Sequence, residues 1–189
     1  ASLIGPILAA PAKSESGPTT IANMNARTRA WWVMAAIFAA ALAGGRIGVV
    51  VFFGLGSFLA FREFITLTPT RRGDHRALFW AFFVIAPAQY WFVAREWYGM
   101  FSIFIPVYAF LFLPLRAALA GDCERFLERA AKLQWGLMAC VYCLSHTAAL
   151  MSLPIPGYAG EQAKLVVFLV AVVQLSDVLQ YCWGKTLGR

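Results

Sequence analysis

Six apolar runs separated by basic clusters limit what this chain can fold into. They cover residues 30–45, 47–61, 77–94, 97–115, 133–153 and 165–183. A bilayer core about 30 Å thick takes about 20 apolar helical residues, with a range of about 17–25. The last four runs meet or approach that length. The first two are short. As one helix they would extend about 48 Å at about 1.5 Å per residue, too long for a single crossing. Gly44-Gly45 interrupts them, so two short helices joined by a tight turn are expected, with Arg46 snorkelling at the membrane face. A re-entrant first segment is the competing reading.

Composition agrees. The 189 residues are 61% hydrophobic and 13% charged, where a soluble domain carries roughly 45–50% apolar and about 25% charged residues. Low charge with 16 Phe and 7 Trp excludes a disordered chain. Four Cys in so apolar a chain do not make a disulfide scaffold. The expected fold class is all-α: a polytopic integral membrane protein of about six transmembrane helices. Some are short, and others are kinked by Pro87, Pro106 and Pro114, each of which removes a backbone donor.

Charge sets the orientation. With six spans and the N-terminus inside, thirteen of the 16 Lys and Arg fall on one side and only Arg46, Arg95 and Lys164 on the other. This is a strong positive-inside asymmetry, so both ends are expected to face the cytoplasm. The net charge of +7 therefore needs no nucleic acid to explain it. Trp31, Trp32, Trp80, Trp97, Tyr98 and Trp183 lie near span ends and read as interface anchors. Residues 1–29 read as the end of an earlier span or a polar cytoplasmic linker, and 30–189 as the transmembrane bundle. The segment 116–132 repeats Phe126, Leu127, Ala130 and Leu133 at helical spacing. It is either an amphipathic surface helix or a solvated extension of the next span.

Of nine acidic residues, only Asp177 interrupts an apolar run. A charge at membrane depth costs a few kcal/mol on insertion scales and usually marks a cavity or a bound group. Asp177, Gln180, Tyr181, Gly184 and Gly188 fall on one side of a helix at about 100° per residue, with Lys185 and Arg189 beside them. A carboxylate can hold Mg²⁺, and lysine or arginine can hold phosphate oxygens. The bland reading of the pair Gly184 and Gly188 is helix packing.

This stripe, Asp177-Val-Leu-Gln180-Tyr181-Cys-Trp-Gly184-Lys185-Thr-Leu-Gly188-Arg189, resembles the signature of the phosphatidate cytidylyltransferase (CDP-diacylglycerol synthase) family. Gln180 stands where Ala is commoner, as in a distinct bacterial subgroup. The segment from Phe58 to Leu67, with Glu63 in Arg-Glu-Phe, is similar to the one that closes an early span there. The stretch Arg27-Thr-Arg-Ala-Trp31-Trp32 and the pair Ser145-His146 also look like the subgroup. The resemblance implies CTP and phosphatidate as substrates, CDP-diacylglycerol and diphosphate as products, and Mg²⁺ as cofactor. It implies a metal-holding, catalytic role for Asp177. Lys185, Arg189, Gln180, Tyr181, Gly184, Gly188 and Glu63 would then surround the substrate. Membrane lipids and a second copy of the chain are the other partners this reading names, and the bacterial inner membrane is the expected location. The family's later Ser-Pro-x-Lys-Thr-x-Glu-Gly and His-Gly-Gly-x-x-Asp-Arg segments are not in this sequence. A fragment inactive by itself is therefore expected. The rival class is a non-enzymatic component, such as half a transporter or an assembly subunit, because intramembrane acids and kinked helices also mark transport paths.

Two further groups are weighed. Cys140, Cys143 and His146 have the look of a metal triad but lack a fourth ligand in sequence, and helix packing with a neutral, backbone-bonded His146 is favoured. The loop Arg71-Arg72-Gly73-Asp74-His75-Arg76 could touch anionic headgroups, though an orientation signal alone is favoured.

Overall fold

The computed structural model describes residues 17–122, 124–158 and 160–187. Every regular element among them is helical. Six helices follow in order: α1 Gly17–Ala43, α2 Gly45–Thr66, α3 Arg72–Ala94, α4 Tyr98–Ala118, α5 Phe126–Ser152 and α6 Gln162–Leu187. Five of them, α2 to α6, are long and apolar enough to cross a membrane. The apolar part of α1, Thr28–Ala43, falls short of that criterion at about 24 Å of helix. The protein is thus an all-α polytopic membrane protein with five full-length candidate spans and one shorter apolar helix, where about six spans were expected.

The chain divides into two units, Ala1–Ala39 and Ala40–Arg189. The described part of the first is a single helical stretch with Trp31, Trp32, Val33, Met34 and Ile37 exposed. Residues 1–16, and with them most of the expected linker, lie outside the described residues.

The second unit opens with the last residues of α1, and the turn expected at Gly44-Gly45 follows them. Gly45 takes φ +63°, a conformation that only glycine adopts without strain. Gly48 follows one turn later. A Cβ there would sit 2.3 Å from the carbonyl oxygen of Ala41, so the return of the chain requires glycine at this position.

Helix α2 packs on α3 and α5, and α4 packs on α3 and α5. The seam between α2 and α5 is close. A methyl at Gly136 would lie 2.5 Å from Phe64 Cδ1 and 3.2 Å from Phe61 Cε2. Phe61 is fully buried and stacks on Phe82 of α3 at a centroid distance of 4.4 Å. Close backbone approach of this kind is how helices associate in lipid, where hydrophobic burial gives no net drive.

The prolines dictate the seam between α4 and α5. Pro106 has no N–H for the carbonyl of Ser102, four residues back, and Pro114 has none for that of Phe110. Helix α5 supplies both donors. The Tyr142 hydroxyl donates to Ser102 O at 2.9 Å, and Gln134 Nε2 donates to Phe110 O at 2.7 Å. The acceptors are eight residues apart on α4 and the donors eight apart on α5, as an antiparallel pair in fixed register requires. The helix also widens to i→i−5 turns over Phe104–Ala109, around Pro106, and over Ala81–Ile85, just before Pro87. A third widened stretch, Met138–Cys143, holds no proline, and nothing in its sequence announces it.

The segment 116–132 resolves in favour of the helical extension. Helix α5 begins at Phe126 and runs on to Ser152. Before it, Gly121 at φ +77° and Arg125 at φ +51° break the chain between α4 and α5.

Candidate active site

Helix α6 carries the stripe singled out in the sequence. It packs on the last turn of α5 through the buried Val166, and none of residues 167–184 is buried. Asp177, Gln180 and Tyr181 are exposed, and a Cβ on Gly184 would meet nothing within 4 Å. Asp177 forms no ion pair among the described residues. It stands 15 residues, or about 22 Å of helix, beyond Gln162, well inside an apolar span. The side chain of Lys185, and Gly188 and Arg189 entirely, lie outside the described residues.

Glu63 is elsewhere. It is exposed near the end of α2, and its carbonyl accepts bonds from Thr66 Oγ1 at 2.7 Å and from Leu67 N. The structure therefore groups Asp177, Gln180, Tyr181 and Gly184 on one helix and leaves Glu63 on another. Among the described residues no three His, Cys, Asp or Glu side chains converge as a metal site. His146 Nδ1 lies 2.9 Å from Tyr142 O, the bond to neighbouring backbone expected from the sequence.

Sequence reasoning missed an ion network joining the α2–α3 and α4–α5 connections. Arg129 of α5 is its centre, with a side chain only 8% exposed. Its Nε donates to Asp74 Oδ1 at 3.1 Å, and its Nη1 reaches Asp122 Oδ2 at 2.8 Å and Glu124 O at 2.8 Å. Asp74 Oδ2 accepts the backbone N–H of Arg71 at 3.0 Å, and Arg71 Nη1 contacts Glu124 Oε2 at 2.6 Å. Gly73 makes room: a Cβ there would lie 3.2 Å from Asp122 Cβ. Burial by itself would raise the Asp122 carboxyl, but the Glu124 N–H together with Arg129 and Arg71 outweighs it and holds Asp122 below the usual carboxylate range. The hydrogen bond and charge of Glu124 push the Arg71 guanidinium above its usual value. The signal for this network was present as acids facing bases in two loops. Counting only Lys and Arg for orientation passed over it.

At the other end of the bundle Arg46 pairs with Glu96, tying the α1–α2 turn to the α3–α4 connection. Arg71, Arg125 and Arg129 thus sit at one end of α2–α5 and Arg46 and Arg95 at the other, the grouping the charge count assumed.

A family model described as the cytidylyltransferase family matches residues 25–189. The chain belongs to the cytidylyltransferase family. The match takes in the whole Asp177 stripe and Glu63. Among curated proteins, "Uncharacterized protein YnbB" of Escherichia coli (strain K12) is 36% identical over 163 residues, 86% of this chain and 52% of that relative. This cytidylyltransferase-family chain thus spans about half the length of the curated relative it matches. No solved structure matches it.

Proposed function

We propose that this chain forms part of a membrane-embedded CTP:phosphatidate cytidylyltransferase. The observation that carries the reading is Asp177, a carboxylate with no ion pair among the described residues, on an exposed apolar helix inside a segment matched by the cytidylyltransferase family. An acid without a cation at membrane depth is costly unless a bound group compensates it.

In the proposed reaction a phosphate oxygen of the lipid attacks the α-phosphorus of CTP. The bond from that phosphorus to the bridging oxygen breaks, and diphosphate leaves with the bonding electrons. Such chemistry is carried by positioning and electrostatics. Asp177 is a hard oxygen donor and fits Mg²⁺, which commonly takes one or two carboxylates and completes its shell with phosphates and water. Bound there, the ion would supply neutralisation of polyphosphate charge. Lys185 and Arg189 would hold phosphate oxygens as charged donors. Gln180 and Tyr181 would donate hydrogen bonds beside Asp177, and Gly184 and Gly188 would leave room for the substrate. Glu63 would join as a polar group from α2. The chain by itself is proposed to be inactive, with both ends cytoplasmic in a bacterial inner membrane.

The test uses membranes carrying the complete reading frame that contains this chain. Labelled CTP with Mg²⁺ should enter the lipid fraction only when phosphatidate is added. Label entering lipid equally with another phosphorylated lipid alcohol would overturn the substrate assignment, and no incorporation with any lipid would favour the non-enzymatic class.

A further inference from the structure

The basic residues at the Arg129 end of the bundle fall into two groups. Arg71, Arg125, Arg129 and Lys132 each meet a carboxylate of Asp74, Asp122, Glu124 or Glu128. Arg72 and Arg76, at the start of α3, are exposed, and neither forms an ion pair among the described residues. Glu63, the exposed acid near the end of α2, pairs with neither. The acids of the two connections are engaged elsewhere, and two guanidinium groups one helical turn apart keep their donors open. A guanidinium has five N–H donors and no acceptor, so the partner it lacks is an anion.

The same face of α3 is aromatic further along. Arg76, Phe79 and Phe83 follow one another within about 60° around a helix of about 100° per residue. Phe79 and Phe83 are both exposed, and their rings lie 5.2 Å apart. The widened turn over Ala81–Ile85 therefore keeps Phe83 in line with Phe79. From Arg76 to Phe83 is about 10 Å of helix, within one leaflet of a hydrocarbon core about 30 Å thick. Trp80, next to Phe79 in the chain, reads as an interface anchor. That depth sets Arg72 and Arg76 among headgroups and Phe83 among acyl chains.

This pairing of charge and aromatic surface selects its occupant. A soluble anion would meet the arginines and leave the rings unused. A zwitterionic headgroup would bring a cation of its own toward the two guanidinium groups. A lipid of net negative charge satisfies both halves. We infer that Arg72 and Arg76 hold the phosphate of an anionic phospholipid whose acyl chain lies along Phe79 and Phe83. The site is on α3, uses none of the residues named for CTP or phosphatidate, and does not depend on the proposed reaction.

The probe is tritiated dioleoylphosphatidylglycerol, with dioleoylphosphatidylcholine as the same chains without net charge. The full chain is immobilised in a maltoside detergent, equilibrated with increasing lipid, and the lipid bound per chain is counted. Wild type should bind phosphatidylglycerol more tightly than phosphatidylcholine. Arg72→Gln and Arg76→Gln should each weaken that binding about fivefold, and the double variant about 25-fold. Arg95→Gln removes the same charge at the other end of the bundle, where the exposed Arg95 lies over Trp91, and should leave binding unchanged. Glycerophosphoglycerol, the headgroup without chains, should not displace the lipid at equal concentration. If the double variant does not elute as wild type does on gel filtration, the two single variants decide. Equal binding by wild type and these variants, an equal loss in Arg95→Gln, or equal binding of phosphatidylcholine would overturn the inference. Displacement by glycerophosphoglycerol would overturn it too, because the arginines would then hold a free phosphate.

Discussion

Pro106 and Pro114 show how single residues set partners in this molecule. Each frees a carbonyl on α4, and each carbonyl finds a side-chain donor on α5. An unmade hydrogen bond in a dry environment costs about 1–3 kcal/mol. Gln134→Leu should therefore destabilise the bundle by about that much. In a Pro114→Ala background the backbone N–H returns and the same change should cost clearly less. Unfolding of the four variants in micelles measures this coupling, and equal costs in both backgrounds would remove the proline from the explanation. The prolines were visible in the sequence and kinks were expected from them. Their donors were not, because Gln134 and Tyr142 find them only once the register of α4 and α5 is known. Asp122 makes a second prediction at this scale. Its carboxyl is held below its usual value in the fold, so its contribution is present above the unfolded value of about 3.9 and is lost as pH falls through the lower folded value. The melting-temperature gap between wild type and Asp122→Asn should hold from neutral pH to about 4 and close below it. A gap that closes at higher pH would show that another group titrates.

At the scale of elements, glycine decides where helices meet. Gly44-Gly45 was legible as a turn because two short apolar runs flank it, and the turn is there. Gly48 and Gly136 were not legible as contacts. A glycine inside an apolar run reads the same whether it faces lipid or another backbone, and only the fold shows which. Gly136→Leu should disrupt the α2–α5 seam, since a Cβ alone already comes within 2.5 Å of Phe64. Gly56, with nothing within 4 Å of its Cβ, is the control and should accept leucine with little loss. Similar melting of the two variants would contradict the packing described. The Arg129 network belongs here too, because it fastens the two connections at one end of α2–α5. Removing one partner of a buried pair costs about 3–5 kcal/mol, which is why Arg129 matters more to the fold than its count among the basic residues suggested.

Across the whole molecule, helices α2–α5 make the bundle and α6 stands apart from it, joined through Val166. The span pattern was readable because apolar length and charge are one-dimensional properties. The site was only half readable. Asp177 stood out as the one acid within an apolar run, and its helix-mates follow from 3.6-residue periodicity. Glu63 lies on α2, and whether it belongs with Asp177 depends on helix arrangement, which no spacing encodes. In the proposed function Asp177 serves nucleotide transfer. The measurement is CDP-diacylglycerol formation from CTP, phosphatidate and Mg²⁺ in membranes carrying the complete reading frame, comparing wild type with Asp177→Asn at matched insertion. A loss on the order of a hundredfold or more is expected in the variant. Wild-type rates in Asp177→Asn would contradict it and leave Asp177 a structural residue.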